Sequence, residues 1–288
     1  MKNVVKRLRH TIRHRTKNRT MRILELFSGT KSFSKEAEKR GHKCFTIDID
    51  KKSKPDLCID ILDFDISMLP EEFKHPDIIW ASPPCQCFSI ASVYRHWKNG
   101  IPKDEKTLKA IEIVKKTINI IKEINPEFYI IENPRGMLRK QEFMQNLNRN
   151  TITYCKYGLE YQKATDLWNN LENWKPREVC KANAPCHVRA PRGSNAGVQG
   201  TNGYRANRQQ KHPIDSSMLR LIKPEDRMHR NGNHPDWSYK VDRSAKLRAI
   251  VPRELCLEII EYCENSTTKS APGSDSHSHP GSIAGKTE

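Results

Sequence analysis

The chain has 288 residues, with 51 Lys or Arg against 34 Asp or Glu and a formal net charge of +17. That length carries one substantial core with room for an insertion, and that charge favours a polyanionic partner, nucleic acid before an anionic membrane surface. No apolar run reaches the length of a bilayer span and the basic N-terminus lacks an apolar signal stretch, so no membrane partner is expected. Nine cysteines, odd in number and irregularly spaced, fit reduced thiols in an intracellular protein.

Residues 1–20 hold eight Lys or Arg and no acid, and read as a flexible basic arm. Arg22–Phe27 then predicts a strand and Ser32–Arg40 a helix ending before Gly41. Cys44–Asp48, Leu57–Ile59 and Asp77–Ala81 predict three further strands. In Asp104–Ile124, Leu108, Ile111, Val114, Ile118 and Ile121 recur at helical spacing, which predicts a long amphipathic helix. Phe128–Glu132 is another short apolar run, and Thr151–Tyr154 with Thr165–Trp168 predict two closing strands at an antiparallel edge. Strands alternating with helices imply an α/β fold, a doubly wound, mostly parallel sheet covered on both faces.

Past Asn170 the periodicity fades. Residues 171–244 carry 14 Lys or Arg against seven Asp or Glu and read as an irregular basic insertion. Pro252 opens a last helix, with Leu255, Ile259 and Cys263 on one face, that returns to the core. The core is thus expected over 21–170 and 245–264, with a disordered tail over 265–288.

Four stretches carry candidate chemistry. Leu26-Phe27-Ser28-Gly29-Thr30 is a glycine turn between strand and helix, where doubly wound folds hold nucleotide-like cofactors. Asp48 ends the second strand, placed for a ribose diol, with Ile49 beside it to pack on a base; Asp60, in Cys58-Ile59-Asp60-Ile61, is placed for an adenine amino group. Trp80-Ala81-Ser82-Pro83-Pro84-Cys85-Gln86-Cys87-Phe88-Ser89 leaves a buried strand through two prolines, which presents Cys85 on a stiff turn suited to a nucleophile. Ile130-Ile131-Glu132-Asn133-Pro134-Arg135-Gly136 ends the fifth strand in a glutamate able to reach a bound base. Cys87 is read as passive. Cys180, Cys186 and His187 are weighed as zinc ligands, although their spacing is not a standard Cys-x-x-Cys.

The Pro-Cys-Gln loop and the Glu-Asn pair, in this order after the glycine turn and the two strand-end acids, resemble the cytosine-5 DNA methyltransferase family, in a compact, phage- or virus-like form with a short target-recognition region. The resemblance implies S-adenosyl-L-methionine as cofactor, with Phe27 and Gly29 toward the methionine, Asp48 on the ribose and Asp60 on the adenine, and with Ser28, Thr30, Ile49, Ile61 and Pro84 in the same pocket. It implies Cys85 as nucleophile on carbon 6 of cytosine and Glu132 at ring nitrogen 3. Lys163 and Thr165 stand where the family has the two arginines of Gln-x-Arg-x-Arg, and Tyr161 where it has the glutamine. Lys31-Ser32 replaces the family's glycine pair, and Arg248–Pro252 keeps Val-Pro without the preceding Gly-Asn. DNA is the expected partner of a monomeric enzyme, its target base flipped out, with Gln86, Ser89, Arg135, Arg189, Arg192, Arg205 and Arg208 as contacts. Two alternatives stay open. Transfer-RNA methyltransferases of this fold share the Ser-Pro-Pro-Cys-Gln loop, and a catalytically silent nucleic-acid binder would keep the charge.

Overall fold

The computed structural model describes residues 19–159, 162–181, 186 and 249–267. Seven strands form the main sheet: β1 (Arg22–Leu26), β2 (Lys43–Asp48), β3 (Leu57–Cys58), β4 (Ile78–Ala81), β7 (Phe128–Pro134), β8 (Arg149–Thr153) and β9 (Ala164–Asn169). A small hairpin, β5 (Trp97–Lys98) with β6 (Ile101–Pro102), stands apart from it. The helices are α1 (Ser32–Lys39), α2 (Val93–His96), α3 (Glu105–Ile124) and α4 (Arg253–Thr267).

The sheet order is β3-β2-β1-β4-β7-β9-β8. The first five strands are parallel, and β9 runs antiparallel to both β7 and β8. The closing pair predicted from sequence is therefore the antiparallel edge. Because the chain goes outward from β1 to β3 and then restarts at β4 on the other flank, a crevice opens at the carboxyl ends of β1 and β4.

Both faces of the parallel strands are covered, and alternate residues divide between two cores. Leu24, Leu26, Ile79, Ala81 and Ile131 pack under α3 through Val114, Ile118 and Ile121. Ile23, Ile78, Trp80 and Ile130 pack on the other face against Phe33 of α1 and Leu255, Ile259 and Ile260 of α4. Trp80 stacks on Phe33 with ring centroids 4.5 Å apart. α3 is delimited as its sequence requires. Asp104 accepts from the Thr107 N–H at 2.7 Å at the start, and Asn125 takes a left-handed φ of 50° at the end.

The return helix is fastened by charge as well as by its apolar face. Glu264 accepts from Arg40 Nε at 3.0 Å and lies 2.9 Å from His42 Nε2, while His42 Nδ1 accepts from the Met21 N–H at 3.2 Å, so the imidazole bridges the start of β1 to α4. Arg177 reaches the same helix, pairing with Glu254 and with Glu258 at 3.0 Å and lying 4.6 Å over the Tyr157 ring. Inside β1, Glu25 is 3% exposed and accepts from the Ser34 N–H at 2.9 Å and from the Ser34 hydroxyl. Burial pushes its carboxyl up to about 7 against those hydrogen bonds.

Candidate active site

Cys85 sits just past the end of β4, in a loop tied by several hydrogen bonds. The Ser82 N–H donates to the Leu26 carbonyl at 3.3 Å, and Trp80 Nε1 donates to Ser82 Oγ at 2.9 Å. The Cys85 carbonyl accepts from the N–H groups of Phe88 and Ser89 at 3.0 and 2.9 Å, so the chain folds back directly behind the thiol. Trp97 Nε1 donates to the Cys87 carbonyl at 2.6 Å, which uses the small hairpin to brace the loop. Cys85 is half-buried, Gln86 is exposed and Ser89 half-buried. Cys87 is buried, its thiol pushed up by that burial and turned to the Lys106 carbonyl at 3.8 Å.

The neighbouring strand closes on this loop from the side. β4 and β7 pair with Ala81 opposite Ile131, so Glu132 is the next residue along, level with the start of the cysteine loop. Asn133 Nδ2 donates to the Pro83 carbonyl at 2.9 Å, a brace between the two motifs that sequence reading did not assign. Gly136 then passes so near Phe88 that a Cβ there would lie 2.0 Å from the Phe88 carbonyl oxygen. Met137 N–H donates to that same carbonyl at 2.7 Å.

Glu132 is 6% exposed. Its Oε1 accepts from the Tyr154 hydroxyl at 2.7 Å and lies 3.7 Å from Lys163 Nζ. That ammonium also lies 4.5 Å over the Tyr154 ring. Lys163 thus stands beside the glutamate, a neighbour that sequence reading did not assign. Thr165 does not: it is 0% exposed, opposite Pro134 in the β7–β9 ladder, and its hydroxyl reaches only the Lys163 carbonyl at 3.5 Å. Its side chain has no surface to offer a base. Tyr154 is the other neighbour of Glu132 that sequence reading missed, because nothing in a single tyrosine after a strand announces a cross-sheet hydrogen bond.

The cofactor side is built largely from backbone. Phe27, Gly29 and Lys31 take left-handed φ values of 59°, 43° and 54°, so the turn after β1 is tight, and lysine occupies a conformation where glycine costs less. Lys31 keeps it with a 2.6 Å hydrogen bond from Nζ to the Lys54 carbonyl. Ser32, in the other departure from the family pattern, bonds Thr30 Oγ1 at 2.7 Å and accepts from the Val251 N–H at 3.2 Å, which joins the closing Val-Pro block to the glycine turn. Asp48 accepts from the N–H groups of Gly29 at 2.8 Å and Asp50 at 2.7 Å. Asp60 is held below the usual carboxylate range by the Leu62 N–H and then by Lys109, whose Nζ lies 3.0 Å away.

Two observations test whether a nucleoside cofactor fits here. Ser28 Oγ is buried with no hydrogen-bond partner, an orphan at the base of the turn. Ile49, beside Asp48, is 66% exposed, an apolar side chain without a core to cover it. Both fit a polar, partly apolar ligand seated between them. Ile61 is 4% exposed and belongs to the core under α3, and Pro84 is half-buried.

Cys180 and Cys186 do come together, 3.1 Å apart, and Cys155 joins them 3.7 Å from Cys186. Cys155 was absent from the sequence-based set, while His187 lies outside the described residues. Tyr161, Arg189, Arg192, Arg205, Arg208, most of the basic arm, most of residues 171–244 and most of the tail also lie outside them. Arg135 is half-buried at the end of β7, its N–H donating to the Ala164 carbonyl at 2.9 Å.

The model of C-5 cytosine-specific DNA methylases matches residues 21–172. The "Probable DNA (cytosine-5)-methyltransferase" of Frog virus 3 (isolate Goorha) is 32% identical over 174 residues, which cover 58% of this chain and 78% of the viral one. Among solved structures, a mutant of Spodoptera frugiperda DNMT2 is 17% identical with a TM-score of 0.35, over 60% of this chain and 56% of that one. A SAM-dependent methyltransferase from Agrobacterium tumefaciens is 17% identical with a TM-score of 0.35, over 53% and 57%. The chain spans about half the length of the solved structures it matches. The chain belongs to the C-5 cytosine-specific DNA methylase family. The family's reaction is methyl transfer from S-adenosyl-L-methionine to carbon 5 of cytosine in DNA. Among the described residues no helix is long and apolar enough to cross a membrane.

Proposed function

We propose that this chain carries out that transfer itself, through a covalent Cys85 adduct on a cytosine removed from the base stack. The observation that carries the reading is the convergence of the braced Cys85 loop and the buried Glu132 at the carboxyl ends of two adjacent strands. Cytosine carbon 5 is a poor nucleophile until a group adds at carbon 6. Cys85 as thiolate adds there, and Glu132, oriented by Tyr154 and Lys163, holds the proton at ring nitrogen 3 that accepts the displaced electron density. Bound S-adenosylmethionine supplies an electrophilic methyl group for the activated carbon 5. Loss of the carbon 5 proton to a base then expels the thiolate and restores the ring. Phe27, Ser28, Gly29, Thr30, Asp48, Ile49, Asp60, Ile61 and Pro84 are the residues assigned to the cofactor.

Residues 21–170 and 245–264 form the catalytic unit in this reading, and 171–244 the target-recognition insertion. Gln86, Ser89 and Arg135 flank the flipped base, while Arg189, Arg192, Arg205 and Arg208 contact phosphates; Lys163 supplies one charge where the family's arginines stand, without their bidentate geometry. The enzyme works as a monomer inside a cell. RNA is the alternative substrate of the same chemistry, supported by the Ser82–Gln86 loop.

The test is methyl transfer from labelled cofactor to duplex DNA, single-stranded DNA and transfer RNA. Duplex DNA is expected to be labelled best, and 5-fluorocytosine in the target to trap a covalent complex, since fluorine at carbon 5 blocks the elimination. Cys85→Ala is expected to abolish transfer and trapping while cofactor affinity stays within about three-fold, because the sulfur acts on the base. Appreciable turnover by that variant would overturn the mechanism, and preferential labelling of transfer RNA would replace the substrate.

A further inference from the structure

The three cysteines behind the glutamate have no part in this chemistry, yet they are gathered. Among the described residues, Cys155, Cys180 and Cys186 form the one group of three His, Cys, Asp or Glu side chains whose ligand atoms all lie within reach of a single ion, within 4.8 Å of one another. None of the nine cysteines is in a disulfide. Sulfurs bound tetrahedrally to zinc at about 2.3 Å lie about 3.8 Å apart. The 3.7 Å between Cys186 and Cys155 already matches that spacing, and the 3.1 Å between Cys180 and Cys186 is too long for a bond and closer than an ordinary sulfur contact.

The positions are set by backbone as much as by the side chains. Cys155 lies in the 3₁₀ turn Tyr154–Tyr157 that follows β8. The Cys180 N–H donates to Thr153 Oγ1 at 2.8 Å, and the Cys180 carbonyl accepts from Gln162 Nε2 at 3.1 Å, which lays the 180 segment against the end of β8. Cys155 and Cys180 are buried and Cys186 is half-buried, so an ion would be shielded on the protein side and reachable from the other.

We propose that Cys155, Cys180 and Cys186 bind one zinc-class cation as thiolates, a structural site that fastens the chain leaving β9 to the turn carrying Tyr154. Each thiol gives its proton to solvent as its sulfur–metal bond forms, and no group changes oxidation state. Three thiolates leave one tetrahedral position for water or a further side chain. Tyr154 is both the residue preceding Cys155 and the hydrogen-bond donor to Glu132, so the ion would brace the base-binding side from behind. The site is independent of the substrate, and its readout is metal rather than turnover.

The test is elemental analysis of the full chain purified from zinc-supplemented culture without chelator, followed by exchange with cobalt. One zinc per chain is expected, with intense visible cobalt bands and a near-ultraviolet thiolate charge-transfer band after exchange. Cys155→Ser, Cys180→Ser and Cys186→Ser should each reduce the metal to background, whereas Cys58→Ser, at an exposed cysteine on β3, should retain it. If the serine variants fail to fold, the wild-type cobalt spectrum decides alone. A metal-free wild type that develops no cobalt bands overturns the proposal, whether all nine thiols titrate in denaturant or two are lost to a Cys180–Cys186 disulfide.

Discussion

On the β1–β2–β3 side of the sheet, carboxylates are gripped mainly by backbone: Asp48 by the N–H groups of Gly29 and Asp50, Asp60 by that of Leu62 with the Lys109 ammonium beside it. On the β7–β9–β8 side, the grip on Glu132 comes from side chains on other strands and loops, the Tyr154 hydroxyl and the Lys163 ammonium. A backbone donor survives any substitution that keeps the turn. A side-chain donor is lost with one codon, so on the proposed assignment the base side can be retuned residue by residue while the cofactor side depends more on the fold.

The sharpest way to break this contrast is Glu132→Gln. Glutamine keeps an acceptor for Tyr154 but cannot hold the extra proton, so kcat should fall by about 10²–10⁴ while cofactor affinity, measured by calorimetry, stays unchanged. A comparable loss of cofactor affinity would show that the two sides are not separately supported.

Glu25 gives a pH-dependent comparison within the cofactor side. Its folded value near 7 lies above the ordinary carboxylate value of 4.5, so the native state holds a proton that the unfolded chain releases. The stabilisation is full below about pH 4.5 and is lost as pH rises to about 7, a change of up to about 3 kcal/mol. Urea unfolding across that range should show the slope in the wild type and a flatter profile in Glu25→Gln.

Gly136→Ala tests the seam between the sides. The added methyl meets the Phe88 backbone rather than a movable side-chain tip, so stability should fall by about 2–3 kcal/mol, with lower kcat as the Cys85 loop shifts. Asp48→Ala should weaken cofactor binding by roughly 5- to 150-fold, the equivalent of about 1–3 kcal/mol for lost acceptors, with little change in kcat at saturating cofactor. Loss of kcat instead would place Asp48 on the base side of the division.

The same division explains what the sequence disclosed. Parallel strands feed candidate functional groups into the turns that follow them, so Gly29, Asp48, Asp60, Cys85 and Glu132 each stood at the end of an apolar run where a motif can be read. The mostly parallel sheet followed from alternation of helix and strand and the antiparallel edge from the two closing strands, whereas the strand order was not legible, since no local pattern states which strands pair. Tyr154 and Cys155 were not legible, because their partners lie across the sheet or some 25 residues further along, and no local spacing encodes a contact of that kind. Thr165 was legible only as a position in a family pattern. Its burial is a consequence of β7 and β9 pairing, which the pattern does not contain.

Arg177, near the outgoing end of the long basic insertion, pairs with Glu254 and Glu258 in the first turns of α4, where the insertion comes back. Arg177 and α4 are thereby clasped together on the body, which holds the two described flanks of the intervening residues side by side. Closure entropy grows only slowly with the number of residues enclosed, roughly 0.6 kcal/mol for each doubling. The stretch between can therefore lengthen, shorten or be exchanged at small cost to the sheet beneath it. On the proposed reading of residues 171–244 as the target-recognition insertion, the clasp would let the choice of target change without rebuilding the reaction centre.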